Sequence, residues 1–220
     1  MLNFNEAFTF PFRDTQWVQK FLMGALFTLL SIFILPIPVL YGYLIELLQR
    51  VRDNDPVPLP EWKDPGIKFL LGLKYIVIFL IYYLPLILIT ILFISFGLLL
   101  SLTGSEANTP LETMTLIALL ISFVLPYSLL LYIATPLITI EFANRERIPD
   151  GLRLGRILRN FSIFWKDVLI VGIVAFALEI AAGIGFILFI VGILFTSFYV
   201  SLITFHLYGQ ICRNVKSLDT

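Results

Sequence analysis

Four long stretches of this chain are nearly empty of ionisable side chains, and they constrain everything else. There are 25 residues without Asp, Glu, Lys or Arg between Lys20 and Glu46, 31 between Lys74 and Glu106, and 28 between Glu112 and Glu141. From Val168 to Cys212 only Glu179 and His206 can ionise. A helix needs ~20 mostly apolar residues to cross a bilayer's hydrocarbon. Backbone N–H and C=O groups cannot be left unpaired there, so such stretches are expected to be helical. Leu, Ile and Phe dominate them, and none alternates apolar with polar residues as a barrel strand would.

Composition narrows the class further. Hydrophobic residues make up 59% and charged residues 14%, against a usual ~45–50% and ~25%. One soluble core of this size could not hide so much apolar surface. A water-soluble globular enzyme, a disordered chain and a nucleic-acid binder are excluded. The expected fold is an all-α polytopic integral membrane helix bundle, a single membrane domain over 1–220. About six helical segments are expected, at 17–35, 38–49, 67–102, 111–140, 168–188 and 190–211. The N-terminus is not read as a signal peptide, because Glu6 and Asp14 precede any apolar run.

Fifteen Lys and Arg balance fifteen Asp and Glu, but their placement is uneven. Arg13 and Lys20 lie before the first apolar stretch; Arg50, Arg52 and Lys63 follow it. Six basic residues, from Arg145 to Lys166, lie in the connection after Glu141, and Arg213 with Lys216 close the chain. The connection Thr103–Pro110 has only Glu106. The positive-inside rule then predicts cytoplasmic termini, cytoplasmic basic connections, and Thr103–Pro110 outside. Residues 17–49 must therefore leave and return on one side. Each arm has about 15 residues and reaches ~22 Å, short of a ~30 Å core. Pro36 and Pro38 break the helix near the middle. The pair is thus expected to be short and re-entrant, the rival being one kinked span with the N-terminus outside. Residues 168–211 allow two full helices, with a turn among Gly183, Gly185 and Gly192. Trp17 to Gly24 and Trp165 to Gly172 share the spacing W-x6-G. They are either a parallel internal repeat or a coincidence of interfacial tryptophan with membrane glycine.

Residues 150–166 read as an amphipathic interfacial helix. Leu154, Ile157, Leu158, Phe161, Phe164 and Trp165 fall on one face, and Arg153, Arg156, Arg159 and Asn160 on the other. Asp150 is the expected N-cap. Such a helix lies at the membrane surface, with Arg153, Arg156, Arg159 and Trp165 placed to meet anionic lipid headgroups. It either anchors the bundle or forms a dedicated lipid or partner site. The first connection carries Pro56, Pro58, Pro60 and Pro65 and is expected to be stiff and extended, with Trp62 at headgroup level. Asp53 and Asp55 have the spacing that opens a calcium loop. The sixth position holds no glycine and the twelfth no glutamate, so no calcium is expected.

Glu179 is the sharpest residue. It lies 12 residues after Asp167, so ~18 Å along a helix and near mid-membrane, where an exposed charge costs at least ~2.5 kcal/mol. It is either a proton, cation or solute contact, or a protonated carboxyl bonded to a neighbouring helix or subunit. His206, the sole histidine, is expected as a hydrogen-bonded structural residue near the inner boundary. Glu46 and Glu141 are expected to meet water or Arg50 and Arg145, each four residues on. Cys212 is the only cysteine. No Walker A, G-x-S-x-G, H-E-x-x-H or Cys/His metal spacing occurs. The expectation is no catalytic residue, no metal, no cofactor and no enzyme activity. The expected partners are the bilayer and either another membrane protein or a second copy.

Phe12-Arg13-Asp14 with Trp17 and Gly24, then Pro36, Gly42-Tyr43 and Arg50, then Pro60-Glu61-Trp62, and last His206-Leu207-Tyr208-Gly209-Gln210 occur in order. This pattern resembles the prokaryotic membrane family catalogued as domain of unknown function 4013. The resemblance covers nearly the whole chain. It implies a bacterial or archaeal inner-membrane protein and carries no activity with it. Function on this reading is that of an accessory or scaffold subunit, or a lipid organiser. The alternative is a small transporter or channel for a lipid-like or small solute with Glu179 in the path.

Overall fold

A computed structural model describes residues 2–102, 110–184 and 189–216. Every regular element among them is helical: α1 Phe4–Thr9, α2 Trp17–Leu30, α3 Ile37–Arg52, α4 Pro65–Leu102, α5 Pro110–Arg145, α6 Ile148–Gly151, α7 Leu154–Ile184 and α8 Phe189–Lys216. The chain is an all-α membrane bundle. Among the described residues, four helices are long and apolar enough to cross a bilayer, within Pro65–Leu99, Met114–Arg145, Leu154–Gly183 and Gly192–Lys216. A fifth candidate is a broken pair, Phe4–Arg13 with Trp17–Phe33, bent by 103°.

The chain divides into two compact units. One holds Phe79–Ala134, with the C-terminal part of α4 and the N-terminal part of α5. Both helices run on through Pro85 and Pro126. Close to Pro85, where the ladder lacks one N–H, Tyr127 Oη donates to the carbonyl of Tyr82 at 2.6 Å. Thr90 bonds back to the Leu86 carbonyl. Leu88, Leu92, Leu125 and Leu129 stand exposed, an outward apolar surface of the kind that hydrocarbon solvates.

The other unit, Met1–Ile78 with Thr135–Thr220, is built around α8. Phe198, Leu202, Leu207 and Ile211 are buried there, against Tyr43, Leu47 and Leu48 of α3 and Val168, Val171 and Ala175 of α7. Helices α3 and α4 touch backbone to backbone. A Cβ on Gly42 would overlap the Lys68 carbonyl, and one on Gly72 the Pro38 carbonyl. The proline-rich segment is extended, as expected, but it is also docked. Pro58, Leu59 and Pro60 are buried, and the Trp62 ring lies between Tyr43 at 4.1 Å and Phe27 at 4.7 Å. Tyr43 Oη donates to the Pro60 carbonyl.

Several boundaries differ from expectation. Helix α2 ends at Leu30, and α3 starts at Ile37 after a 3-10 turn at Ser31–Phe33. Helices α3, α5 and α8 run past the apolar stretches to Arg52, Arg145 and Lys216. A helix does not stop where hydrocarbon stops, and cations in the last turn suit its carbonyl end. The interfacial stretch is not one helix over 150–166. Pro149 and Gly151 confine α6 to a single turn, α7 begins at Leu154, and non-helical angles at Phe164 kink it. Asp150 therefore lies in α6, buried, and is not the N-cap of α7. Gly183 lies inside α7 and Gly192 inside α8. Gly185 and the connection 103–109 fall outside the described residues.

Candidate functional site

The polar side chains converge where α3, α5 and α8 end. Glu46 takes Arg50 at 2.8 Å, as its spacing predicts, and also the Lys68 ammonium, which is buried. Arg52 chelates Asp53 through Nε and Nη2, and its Nη1 donates to the Ala143 carbonyl and to Asn144. Gln49 bonds the same carbonyl and Glu146. Lys216 reaches Asp53 at 3.0 Å, Arg213 reaches Asn54, and the Cys212 thiol donates to Asn144 at 3.2 Å. Asn54 and Glu146 both hold positive φ. Part of this network lines a cleft of about 460 Å³, open to solvent, whose wall includes Arg50, Arg52, Arg145, Asp53, Asp55 and Glu146. The hydrogen bond from Arg52, joined by Lys216 and opposed by burial, draws the Asp53 carboxyl down to about 2. The cleft is walled by charges of both signs that neutralise one another.

A second polar centre lies under α2. Lys20 and Asp14 are both buried, with Nζ to Oδ2 at 2.5 Å. The same ammonium donates to the Leu59 carbonyl at 2.9 Å, and the Trp62 indole donates to the Lys20 carbonyl at 3.0 Å.

At the interfacial stretch the arginines have partners within the chain. Arg153 lies 3.1 Å from Asp150 Oδ1, an ion pair too oblique to be a hydrogen bond, and Arg145 lies 3.9 Å from the same oxygen. Arg156 lies 3.8 Å from Glu141. Asn160, expected on the polar outer face, is buried and donates to Glu141 at 2.6 Å. Glu141 is itself buried, so its surroundings extend well beyond water and Arg145. Ile157 turns inward with Asn160, while Leu154, Leu158 and Trp165 turn outward and Arg159 is exposed.

The two intramembrane candidates have different surroundings. His206 is buried, stacked on Phe10 at 4.4 Å and 3.1 Å from the Gln210 amide. Gln210 in turn holds both the N–H and the carbonyl of Asn3, so His206 belongs to the latch that seats the N-terminal segment on α8. Glu179 lies on the exposed face of α7 beside Phe176 and Ile180. The structure does not bring Glu179 and His206 together with the cleft. Sequence reasoning missed the cleft and the Lys20 centre. The i,i+4 pair Glu46–Arg50 was the one local signal read for either; Lys68 meets Glu46 from 22 positions away, Lys20 meets Leu59 from 39, and Lys216 meets Asp53 from 163. Among the described residues, no three His, Cys, Asp or Glu side chains are grouped to hold a metal ion.

No curated protein and no solved structure matches this chain. A family model described as "Protein of unknown function (DUF4013)" matches residues 25–197, and the chain belongs to that family.

Proposed function

We propose that this chain is a non-enzymatic, multi-pass protein of a bacterial or archaeal inner membrane that works by association. Both termini and both basic connections face the cytoplasm, where the excess of Lys and Arg favours them. It acts as an accessory subunit, docking a membrane helix of another protein on the outer face of α7. The observation behind this reading is the setting of Glu179. It is exposed, and Phe176 and Ile180 beside it are 57% and 61% exposed. A carboxyl facing lipid is costly; a partner helix that offers a hydrogen-bonding side chain removes that cost. Leu154, Leu158 and Trp165 rest on lipid at the surface, with Arg153, Arg156 and Arg159 near anionic headgroups.

Photo-crosslinkers at Phe176 and Ile180, used in native membranes, test this. We expect a crosslink to one other membrane protein, lost in Glu179→Leu while the chain stays folded. Crosslinks to lipid alone in both forms would remove the docking reading, and a product of twice the chain's mass would make the partner a second copy. The transport alternative predicts solute flux in proteoliposomes that Glu179→Gln abolishes.

A further inference from the structure

The turn between α2 and α3 is the most exposed apolar feature of its unit. Ile32, Phe33, Ile34 and Leu35 are between 73% and 75% exposed. The exposure continues down one ridge of α2 through Leu29, Leu26, Leu22 and Val18, at helical spacing. Between Phe21 and Leu40 the only polar side chains are Thr28 and Ser31, and both hydroxyls are turned back onto the carbonyls of Gly24 and Phe27.

The backbone of the turn is equally closed. Ile34 donates to Ser31 at 3.0 Å, Leu35 to Phe33 at 2.6 Å and Ile37 to Ile34 at 3.0 Å. Pro36 and Pro38 have no N–H to satisfy. From Ile34 to Pro38 no donor is left for water. A turn meeting water or a polar protein surface has no need of this; a turn in hydrocarbon requires it.

Both feet of the hairpin are tied together. Lys20, at the start of α2, donates to Leu59, beyond the end of α3, and Trp62 donates back to Lys20. They therefore lie on one side of the membrane, which disfavours a single broken span through Phe4–Arg13 and Trp17–Phe33. Depth follows from the helix rise. Tyr43 stacks on Trp62 at this polar level, and Ile37 is six residues away, or ~9 Å. One leaflet's hydrocarbon is ~15 Å deep, half of the full core.

We propose that the α2–α3 turn is a wedge that binds the acyl chains of a single leaflet, with Lys20, Tyr43 and Trp62 at the level of its headgroups. The wedge enters and leaves by the same face. It adds apolar volume to that leaflet alone, and it works independently of whatever α7 docks.

The test uses the full chain with Cys212→Ser, in vesicles of phosphatidylethanolamine and phosphatidylglycerol. Nitroxide labels are placed on Phe33→Cys and Leu35→Cys, with Thr15→Cys, an exposed site before α2, as reference. Oxygen should collide with the tip labels in preference to a water-soluble nickel chelate, by a ratio about tenfold above that at Thr15. Phe33→Trp keeps an aromatic ring and reads the same depth without a label. Brominated acyl chains should quench the added fluorescence, and iodide should not. Chelate reaching the tip as readily as Thr15 would make the turn aqueous and overturn the proposal. Exclusion of both oxygen and chelate would mean that protein covers it, and would overturn it as well. Neither reading depends on which side is cytoplasmic or on Glu179.

Discussion

Lys20 and Asp14 are 8% and 6% exposed, and such a pair is worth most when one partner is removed. Two charges taken out of water gain little over an apolar pair of similar volume, but a lone buried charge is severely destabilising. Asp14→Asn leaves the ammonium with the Leu59 carbonyl and no counter-charge. It should cost ~3–5 kcal/mol, read as a lower thermal midpoint in mild detergent. Asp14→Leu with Lys20→Met should recover most of that loss. An unchanged midpoint for Asp14→Asn would show that the pair is solvated. Asp53 gives the contrasting case at the surface. Its carboxyl is held at about 2, below the ordinary 3.8, so its contribution is complete above the ordinary value and disappears as pH falls through the lower one. Asp53 is 47% exposed, and screening limits the effect to about 1 kcal/mol or less. Asp53→Asn should remove that part of the acid-induced loss of stability between about pH 4 and 2. Equal acid sensitivity in the two proteins would mean that Arg52 and Lys216 do not hold it in solution.

At the level of helices, α3 and α4 test whether close approach is structural. A methyl on Gly42 would run into backbone atoms of Lys68, which cannot swing aside as a side chain can. Gly42→Ala should push the helices apart and lower the thermal midpoint. Gly97→Ala, in a helix with nothing within 4 Å of the new Cβ, should leave it unchanged or raise it, since Ala favours a helix by ~1 kcal/mol. Equal midpoints for the two variants would refute the packing argument. The same elements show what a linear sequence carries. Charge-free length was enough to foresee α4, α5, α7 and α8, because hydrocarbon permits few alternatives to helix. Pro36 and Pro38 announced the hairpin, since proline acts on its own neighbours. The partner of Glu141 was not legible, because Asn160 approaches it from another helix. Nor was the burial of Lys20, which as a bare cation reads as a marker of the aqueous side and in the fold is enclosed with Asp14, Leu59 and Trp62. The motifs at 12–24 and 206–210 lie wholly outside the matched residues 25–197. In the fold, the segments holding them meet where Phe10 stacks on His206 and Phe12 lies beside Tyr199.

For the whole molecule, net charge is zero, so orientation depends on where the cations lie. Arg52, Arg213 and Lys216 belong to one cluster at the ends of α3, α5 and α8, and residues that pair in one cluster lie on one side of the bilayer. Arg145 lines the same cleft. The basic connection, the first connection and the C-terminal end therefore share a face whatever the sign of that face. The proposed function takes that face as cytoplasmic, from its excess of cations, and predicts that Ser105 is reached from the other side. Single cysteines placed at Asn54, Asn144, Asn214 and Ser105 in the Cys212→Ser background separate these two statements. In sealed cells, an impermeant maleimide should label Ser105→Cys alone; in inverted vesicles it should reach Asn54→Cys and Asn214→Cys and miss Ser105→Cys. Labelling of all sites in the opposite sense would reverse the orientation and leave the cluster intact. Labelling of Asn54→Cys and Asn214→Cys from different sides would contradict the Arg213–Asn54 contact, and with it the packing of α3 along α8.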